Sequence, residues 1–475
     1  MALPNTHFGV EHISSLMQGK KHIFFDGIGG VSMCSLAEIC RRAGHDVSGY
    51  DRSPSPITAA LEEAGIRVFY EAKGENTAGA DLLVYTLAMP ADDPAYVYAG
   101  EHGIPRISRA DFLGYLMSGY THRLGIAGTH GKSTTTGMVS RILTAAGVDP
   151  TVLNGAMMKE SSSYSIIGSS NYFAFEACEY MDSFLDFTPT SAVILNVELD
   201  HVDYFPSLDR IKESFARFMD LTGEDGTAVI NADDENSVDA AKNYRGHLVT
   251  FGNRNTEADY TAAELHTEHG FPAFSIRYRG TPLAEIRLRV PGIHNVSDAL
   301  AACAVCHSAG IPASAVEEGL NAYEGVCRRM EKILTTPTGT DVYTDYAHHP
   351  TEIRTTLAGA CGLGYSKVRV VFQPHTFSRT HELFDDFVSA FAESDADEII
   401  LCDIYPARET NIYGVSSDKL CEAIRAKGKA CTVIHGIPEA AVYADNQTGT
   451  GDLVLIMGAG DIIKAAEKIK EIYRS

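Results

Sequence analysis

The chain has 475 residues, 45% of them hydrophobic and 21% charged, the balance of a globular protein with sizeable cores. At roughly 100–200 residues per domain, about three domains are expected. Its 39 Lys and Arg against 62 Asp and Glu leave a formal charge of −23. That argues against a nucleic-acid binder, which needs a basic face for phosphates, but not against a small anionic ligand held by backbone amides and one or two arginines.

A strand–helix rhythm starts at once. Residues 22–26 read as a strand, 27–30 as a glycine turn, 31–43 as a helix stopped by Gly44, 45–51 as a second strand, 57–64 as a second helix and 81–86 as a later strand. The rhythm restarts with a strand at 123–127, a glycine-rich loop and a helix over 133–146, then strands at 172–177 and 191–197 and a helix over 208–221. Around 260–290 the period becomes a strict alternation, which predicts an antiparallel hairpin appended to the main sheet. A third restart places strands at 367–373, 398–404, 431–435 and 452–457 between helices such as 382–393 and 418–426.

The class is therefore α/β in three domains: a Rossmann-like domain at 1–120, a phosphate-loop domain at 121–330 with a mostly parallel sheet and a small antiparallel appendage, and a second Rossmann-like domain at 331–475. The first ten residues carry neither a basic nor an apolar stretch, so no signal peptide is expected. The longest apolar runs are strand-sized, so the expectation is a cytoplasmic protein without a membrane partner, its ten cysteines reduced. Cys303-Ala-Val-Cys306-His307 has the form of a haem-attachment motif, but its Ala-rich helical surroundings favour packing.

The strongest chemical signal is Gly125-Ile-Ala-Gly128-Thr129-His130-Gly131-Lys132-Ser133, between a strand and a helix. Such a loop cradles phosphates with backbone N–H groups, its lysine neutralises terminal phosphate charge, and its hydroxyl reaches Mg2+. Glu176 and the Asn196-Val-Glu-Leu-Asp200-His201 stretch end neighbouring strands, where Ser133, Glu176 and His201 could hold Mg2+. The turn Gly27-Ile-Gly29-Gly30-Val-Ser32, with Asp51 ending the next strand, resembles a dinucleotide fingerprint. Ser32 at the third glycine position weakens a nicotinamide reading and leaves a phosphate-bearing ligand. Asp345-Tyr346-Ala347-His348-His349-Pro350 could be a metal site, a general base or a recognition loop, and Arg379 is a candidate carboxylate clamp.

Taken in order, these motifs resemble those of the Mur ligases: the Gly27 turn, Gly128–Ser133, Glu176-Ala-Cys178-Glu179, Asn196 through Asp203, His294-Asn295, Arg328-Arg329, Asp345 to Pro350, Gln373 to Thr380 and Gly458 to Asp461. The resemblance implies ATP-dependent joining of L-alanine to the lactyl carboxylate of UDP-N-acetylmuramate through an acyl phosphate, by a monomer or weak homodimer whose domains close over one crevice. It implies that Gly27, Gly29, Gly30, Ser32, Asp51 and Thr86 hold the UDP-sugar, and that Gly128, Thr129, His130, Gly131, Lys132, Ser133, Thr134, Asn295 and Arg329 hold ATP. Tyr346, His348 and Arg379 would hold the amino acid, with Lys132, Glu176, His201 and His348 as the catalytic set. Three positions depart from the family pattern: Ser133 replaces the usual threonine but keeps the hydroxyl, Cys178 stands where a carboxylate is common, and Thr376 where an arginine is. The rivals are a ligase that attaches a whole tripeptide to the same sugar and a nicotinamide-dependent dehydrogenase.

Overall fold

Strands with both faces covered read as unbroken apolar runs, and the two central strands of the first sheet, His22–Asp26 and Leu82–Tyr85, carry such runs. Its parallel strands lie in the order Arg67–Phe69, Asp46–Tyr50, His22–Asp26, Leu82–Tyr85, Arg106–Ser108, and Ile23, Phe24 and Phe25 at its centre are completely buried. The Val31–Arg42 helix starts from Gly30, places Met33, Leu36, Ala37 and Cys40 against the sheet, and carries Arg41 and Arg42 in its last turn, where the helix dipole favours cations. The computed structural model describes residues 3–201 and 204–474. Asp203, the last acidic residue of the motif that begins at Asn196, lies outside them.

The chain divides into two units, Met1–Thr261 with Leu300–Gly319, and Ala262–Ala299 with Leu320–Ser475. The first unit contains the sheet above and most of a second one. There His122–Ala127 lies between Ser191–Ile194 and Tyr172–Ala177, parallel to both. Thr227–Asn231 and His247–Gly252 extend that sheet on one side, Thr151–Met158 and Ser163–Ile166 on the other. A strand whose two neighbours both come later in the chain opens a crevice at its carboxyl end. His22–Asp26 and His122–Ala127 are both of this kind.

The Leu208–Asp220 helix is capped by Ser207, whose hydroxyl accepts from Arg210 N, and it buries Ile211, Phe215, Phe218 and Met219. Phe184 stacks on Phe218 at 4.6 Å and meets Phe215 edge-on, fixing the turn after Tyr172–Ala177 to the core. Burying one such ring stabilises the fold by about 1.5–3 kcal/mol. Cys303 and Cys306 are completely buried and His307 bonds the Tyr260 hydroxyl at 2.8 Å, so the Cys-x-x-Cys-His stretch is packing.

In the second unit the predicted hairpin is present, Phe271–Tyr278 antiparallel to Thr281–Arg287. Its other sheet runs Glu331–Thr335, Asp341–Asp345, Leu453–Met457, Val368–Phe372, Glu398–Leu401, Cys431–Val433, all parallel except the first pair. Two expected elements differ. The strand expected over 191–197 stops at Ile194, because Leu195 N bonds Ala127 O and Asn196 O takes Thr129 N, diverting this backbone to the phosphate loop. The helix expected over 382–393 runs Phe384–Ala392, and a separate short helix that was not expected, Phe377–Glu382, precedes it and meets it at Leu383. Among the described residues no helix is long and apolar enough to cross a membrane.

Candidate active site

The loop from Gly128 to Gly131 leaves the carboxyl end of His122–Ala127 and runs into the Lys132–Ala145 helix. Gly128 has φ +147°, and a Cβ there would stand 2.8 Å from Leu195 Cβ, so only glycine fits. Asn196 clamps the loop from the next strand: its Oδ1 accepts from His130 N (2.8 Å) and its Nδ2 donates to His130 O (3.1 Å). Glu198 N donates to Thr129 Oγ1 (2.9 Å). The loop is held by its neighbours and its amides lie at a helix N-terminus, as phosphate binding requires. Ser133 is buried and Thr134 half-buried on the first helical turn, where Asn154 Nδ2 donates to Ser133 O (3.0 Å).

Lys132 Nζ folds over this loop. It donates to Gly128 O, to Thr129 O (3.1 Å) and to the Glu179 carboxylate (3.1 and 3.4 Å). Burial pulls its pKa down, but the Glu179 charge, with Cys178 and Glu176 adding to it, holds the ammonium above its ordinary value. His201 Nε2 lies 3.8 Å from Glu179 Oε1. The structure thus brings Lys132, His201 and Glu179 together, whereas Glu176 Oε1 accepts from Gly155 N (2.5 Å) on the adjacent strand. Glu176 is still inside Tyr172–Ala177, and Glu179 lies just past its end, on the rim facing the phosphate loop. Glu179 is the residue that sequence reasoning passed over as a ligand, although it is the last residue of the Glu176-Ala-Cys-Glu179 motif. Its position is fixed by the next turn, where Met181 and Asp182 have positive φ (55° and 54°). Asp182 accepts from Ser214 Oγ, Arg210 NH2 (2.5 Å) and Tyr204 OH (2.9 Å), which holds that backbone in place.

On the first sheet, Gly27, Gly29, Gly30, Ser32, Asp51 and Thr86 gather at the carboxyl ends of three strands. Asp51 Oδ2 accepts from Gly29 N at 2.9 Å. A Cβ on Gly29 would meet that oxygen at 2.7 Å, and one on Gly27 would meet Thr86 Cγ2 at 3.1 Å. Beneath this turn Asp26 is completely buried, its carboxyl beside that of Asp93. Burial, then the charges of Asp93 and Asp51, push its pKa up to about 9. Between about pH 4, the ordinary carboxyl value, and about pH 9 the folded chain keeps a proton that the unfolded chain releases. Stability is therefore lost as pH rises through that window. Asp26→Asn is expected to flatten this loss; thermal melting of both proteins at pH 5 and 8.5 checks it, and equal slopes would show that Asp26 is ionised in the fold.

In the second unit Asn295 is buried, bonded through Nδ2 to Pro291 O (2.7 Å) and beside His294 Nε2 (3.3 Å). Burial, then the charge of Arg329, pushes the His294 pKa down to about 4, so Asn295 and Arg329 share one neighbourhood. Arg329 and Arg328 both lie over the Tyr346 ring, at 5.4 and 4.7 Å. His348 N donates to Glu352 Oε2 (3.0 Å), its ring meets His375 edge-on at 5.8 Å, and Arg379 NH1 lies 3.3 Å from His375 Nδ1. Tyr346, His348 and Arg379 therefore converge, with His375 as the link the sequence did not single out. Asp345 beneath them accepts from Met330 N and Ala347 N, both 2.8 Å. Glu409 accepts from Ser378 N (2.9 Å) and Oγ (2.5 Å), fixing the turn that carries Arg379.

Three family models match this chain: Mur ligase family, catalytic domain, over residues 22–121; Mur ligase middle domain over 126–306; and Mur ligase, glutamate ligase domain, over 328–460. The UDP-N-acetylmuramate--L-alanine ligase of Acetivibrio thermocellus is 41% identical over 460 residues, covering 96% of this chain and 97% of that one. The enzyme of the same name from Clostridium acetobutylicum is 42% identical over 448 residues, covering 94% and 97%. Among solved structures, the UDP-N-acetylmuramate-alanine ligase of Thermotoga maritima superposes with a TM-score of 0.81 at 29% identity, covering 96% of this chain and 99% of that one. With three domain models in chain order and relatives matched end to end, the chain belongs to the Mur ligase family.

Proposed function

We propose that this protein is the ATP-dependent ligase that joins L-alanine to the lactyl carboxylate of UDP-N-acetylmuramate in peptidoglycan precursor synthesis. The observation that carries it is Lys132, folded over a phosphate loop and set against Glu179 and His201; the names of near full-length relatives support the substrates. The segment 1–120 would hold the UDP-sugar, 121–330 ATP, and 331–475 the amino acid.

The chemistry follows from charge. A carboxylate attacking the γ-phosphate of ATP brings two anions together, so the barrier is set by positioning and charge neutralisation. The loop amides of Gly128 to Gly131 would hold the phosphates, with Asn295 and Arg329 on the rest of the nucleotide. Lys132 would leave Glu179 for the γ-phosphate and stabilise the acyl phosphate as it forms with ADP. The alanine amine then attacks the acyl carbon, and phosphate leaves. Tyr346, His348 and Arg379 would orient the amino acid, Arg379 clamping its carboxylate.

The donor set also fits Mg2+: a buried carboxylate, Glu179, facing a cation and an imidazole rather than apolar side chains, with Ser133 on the adjacent turn. Ser133, His201 and a carboxylate, Glu179 or Glu176, would hold the ion, which when bound supplies further neutralisation of phosphate charge. Phosphate release from ATP with Mg2+ and UDP-N-acetylmuramate is expected to require L-alanine. Release with L-Ala-γ-D-Glu-meso-diaminopimelate in its place, and not with L-alanine, would move the enzyme to the tripeptide ligases; silence with both would leave the fold without this substrate.

A further inference from the structure

Past Ile194, which lies opposite Ile230 in the last pairing of its strand, the backbone belongs to no strand and is shared between two neighbours. Leu195 N, Asn196 O and Glu198 N are bonded to Ala127 and Thr129, at the start of the phosphate loop. Three more groups are taken by side chains of one short stretch, where a strand would otherwise supply backbone. Asn231 Nδ2 donates to Leu195 O (2.9 Å), Asp234 Oδ2 accepts from Val197 N (3.0 Å), and Asn236 Nδ2 donates to Val197 O (2.8 Å). Val197 is completely buried, so its amide and carbonyl have no water to fall back on. The stretch that grips it is itself fixed. Asp234 caps the Glu235–Ala241 helix, accepting from Ser237 N (2.9 Å) and Ser237 Oγ (2.5 Å) with the oxygen that also takes Val197 N. Asp233 accepts from the amides of Asn253 (2.6 Å), Arg254 (2.9 Å) and Asn255 (2.6 Å), which ties the turn to the segment after His247–Gly252.

Val197 stands between two groups of the candidate site. The residue before it, Asn196, holds both backbone groups of His130. Four residues after it, His201 faces Glu179 from a backbone with φ +52°, a conformation that a residue with a side chain keeps only when its surroundings impose it. We infer that Asp234 and Asn236 are positioning residues: by gripping the amide and carbonyl of Val197 they set the place of the Asn196–His201 segment, and through it the phosphate loop and the His201 imidazole. This rests on the proposed function, in which that loop holds ATP and His201 helps to hold Mg2+. Supports of this kind change affinity and rate about ten- to hundredfold without touching the ligand.

The test uses the full chain as wild type, Asn236→Ala, Asn236→Gln, Asp234→Ala, Asp234→Asn and Ser237→Ala. Calorimetric titration with ADP at fixed Mg2+ and with UDP-N-acetylmuramate is set beside steady-state rates and thermal melting. Asn236→Ala is expected to weaken ADP binding and raise the Mg2+ needed for half-maximal rate about tenfold, and to lower kcat at least as much. Its affinity for UDP-N-acetylmuramate is expected to stay at the wild-type value. Asn236→Gln keeps the amide but sets it one methylene further out, so a several-fold loss of the same kind is expected there even if Asn236→Ala misfolds. Asp234→Ala is expected to behave like Asn236→Ala, and Asp234→Asn to recover most of the loss, because an amide oxygen still accepts from Val197 N. Ser237→Ala removes a capping partner and leaves Val197 gripped, so it is expected to lower the melting temperature with ADP affinity and Mg2+ dependence unchanged. Wild-type ADP affinity, Mg2+ dependence and kcat in a folded Asn236→Ala or Asn236→Gln overturn the positioning role. So does a loss that Ser237→Ala reproduces at an equal melting shift. A wild type that binds no ADP in the presence of Mg2+ overturns the proposed function along with it.

Discussion

Lys132→Ala is expected to lower L-alanine-dependent phosphate release by about three orders of magnitude, the effect of removing a fixed cation from a phosphoryl-transfer site. The loop amides can bind phosphates without the lysine, but they carry only partial charge. The ammonium is the full charge in the structure placed over the loop, donating to Gly128 O and Thr129 O. The substitution also strands Glu179, whose side chain is 2% exposed, and removing one partner of a buried pair costs about 3–5 kcal/mol. Loss of turnover therefore has to be separated from loss of fold. UDP-N-acetylmuramate binding, which the proposed function assigns to the Gly27 turn and not to Lys132, is expected to survive, and a melting curve shows how much of the chain remains folded. Normal turnover in this variant would mean that the Gly128 loop does not hold the reacting phosphate.

The glycine loop between strand and helix was legible in the sequence because its shape is set by the backbone: glycines at fixed spacing reach conformations closed to other residues. The antiparallel hairpin was legible too, since alternation from Phe274 to Tyr278 and from Ile286 to Val290 has the two-residue period of a strand. Which glutamate faces Lys132 was not legible. Glu176 and Glu179 are three residues apart, and the difference depends on where Tyr172–Ala177 ends and on the positive-φ turn at Met181 and Asp182. That turn is held by Arg210 and Ser214, more than 25 residues on. The end of the strand at Ile194 is likewise set by hydrogen bonds to Ala127 and Thr129, on another segment. The motif around Tyr346 announced polar chemistry, but its convergence with Arg379 through His375 depends on two parallel strands, Asp341–Asp345 and Val368–Phe372, flanking Leu453–Met457. Asp26 looked like an ordinary strand end, and burial beside Asp93 and Asp51 makes it a proton carrier.

The two glutamates should respond differently to the same substitution. Glu176→Gln is expected to cost less than about fivefold in kcat, because an amide oxygen can still accept from Gly155 N, the bond the carboxylate makes at 2.5 Å. Glu179→Gln removes a charge that faces Lys132 at 3.1 Å and His201 at 3.8 Å, and about a hundredfold loss in kcat is expected, with a higher Mg2+ concentration needed for half-maximal rate. The alkaline limb gives an independent readout. Burial lowers the Lys132 pKa and Glu179 more than restores it; without that carboxylate only the lowering influence of burial and the weaker help of Cys178 and Glu176 remain. Lys132 then releases its proton at lower pH, so the rate of Glu179→Gln is expected to fall at lower pH on the alkaline side than that of the wild type. A structural defect alone would lower the rate at every pH and leave the limb where it was. The reverse pattern, a mild Glu179→Gln and a crippled Glu176→Gln with weakened Mg2+ dependence, would return the metal to Glu176 and make the Lys132–Glu179 pair a resting contact outside the reaction.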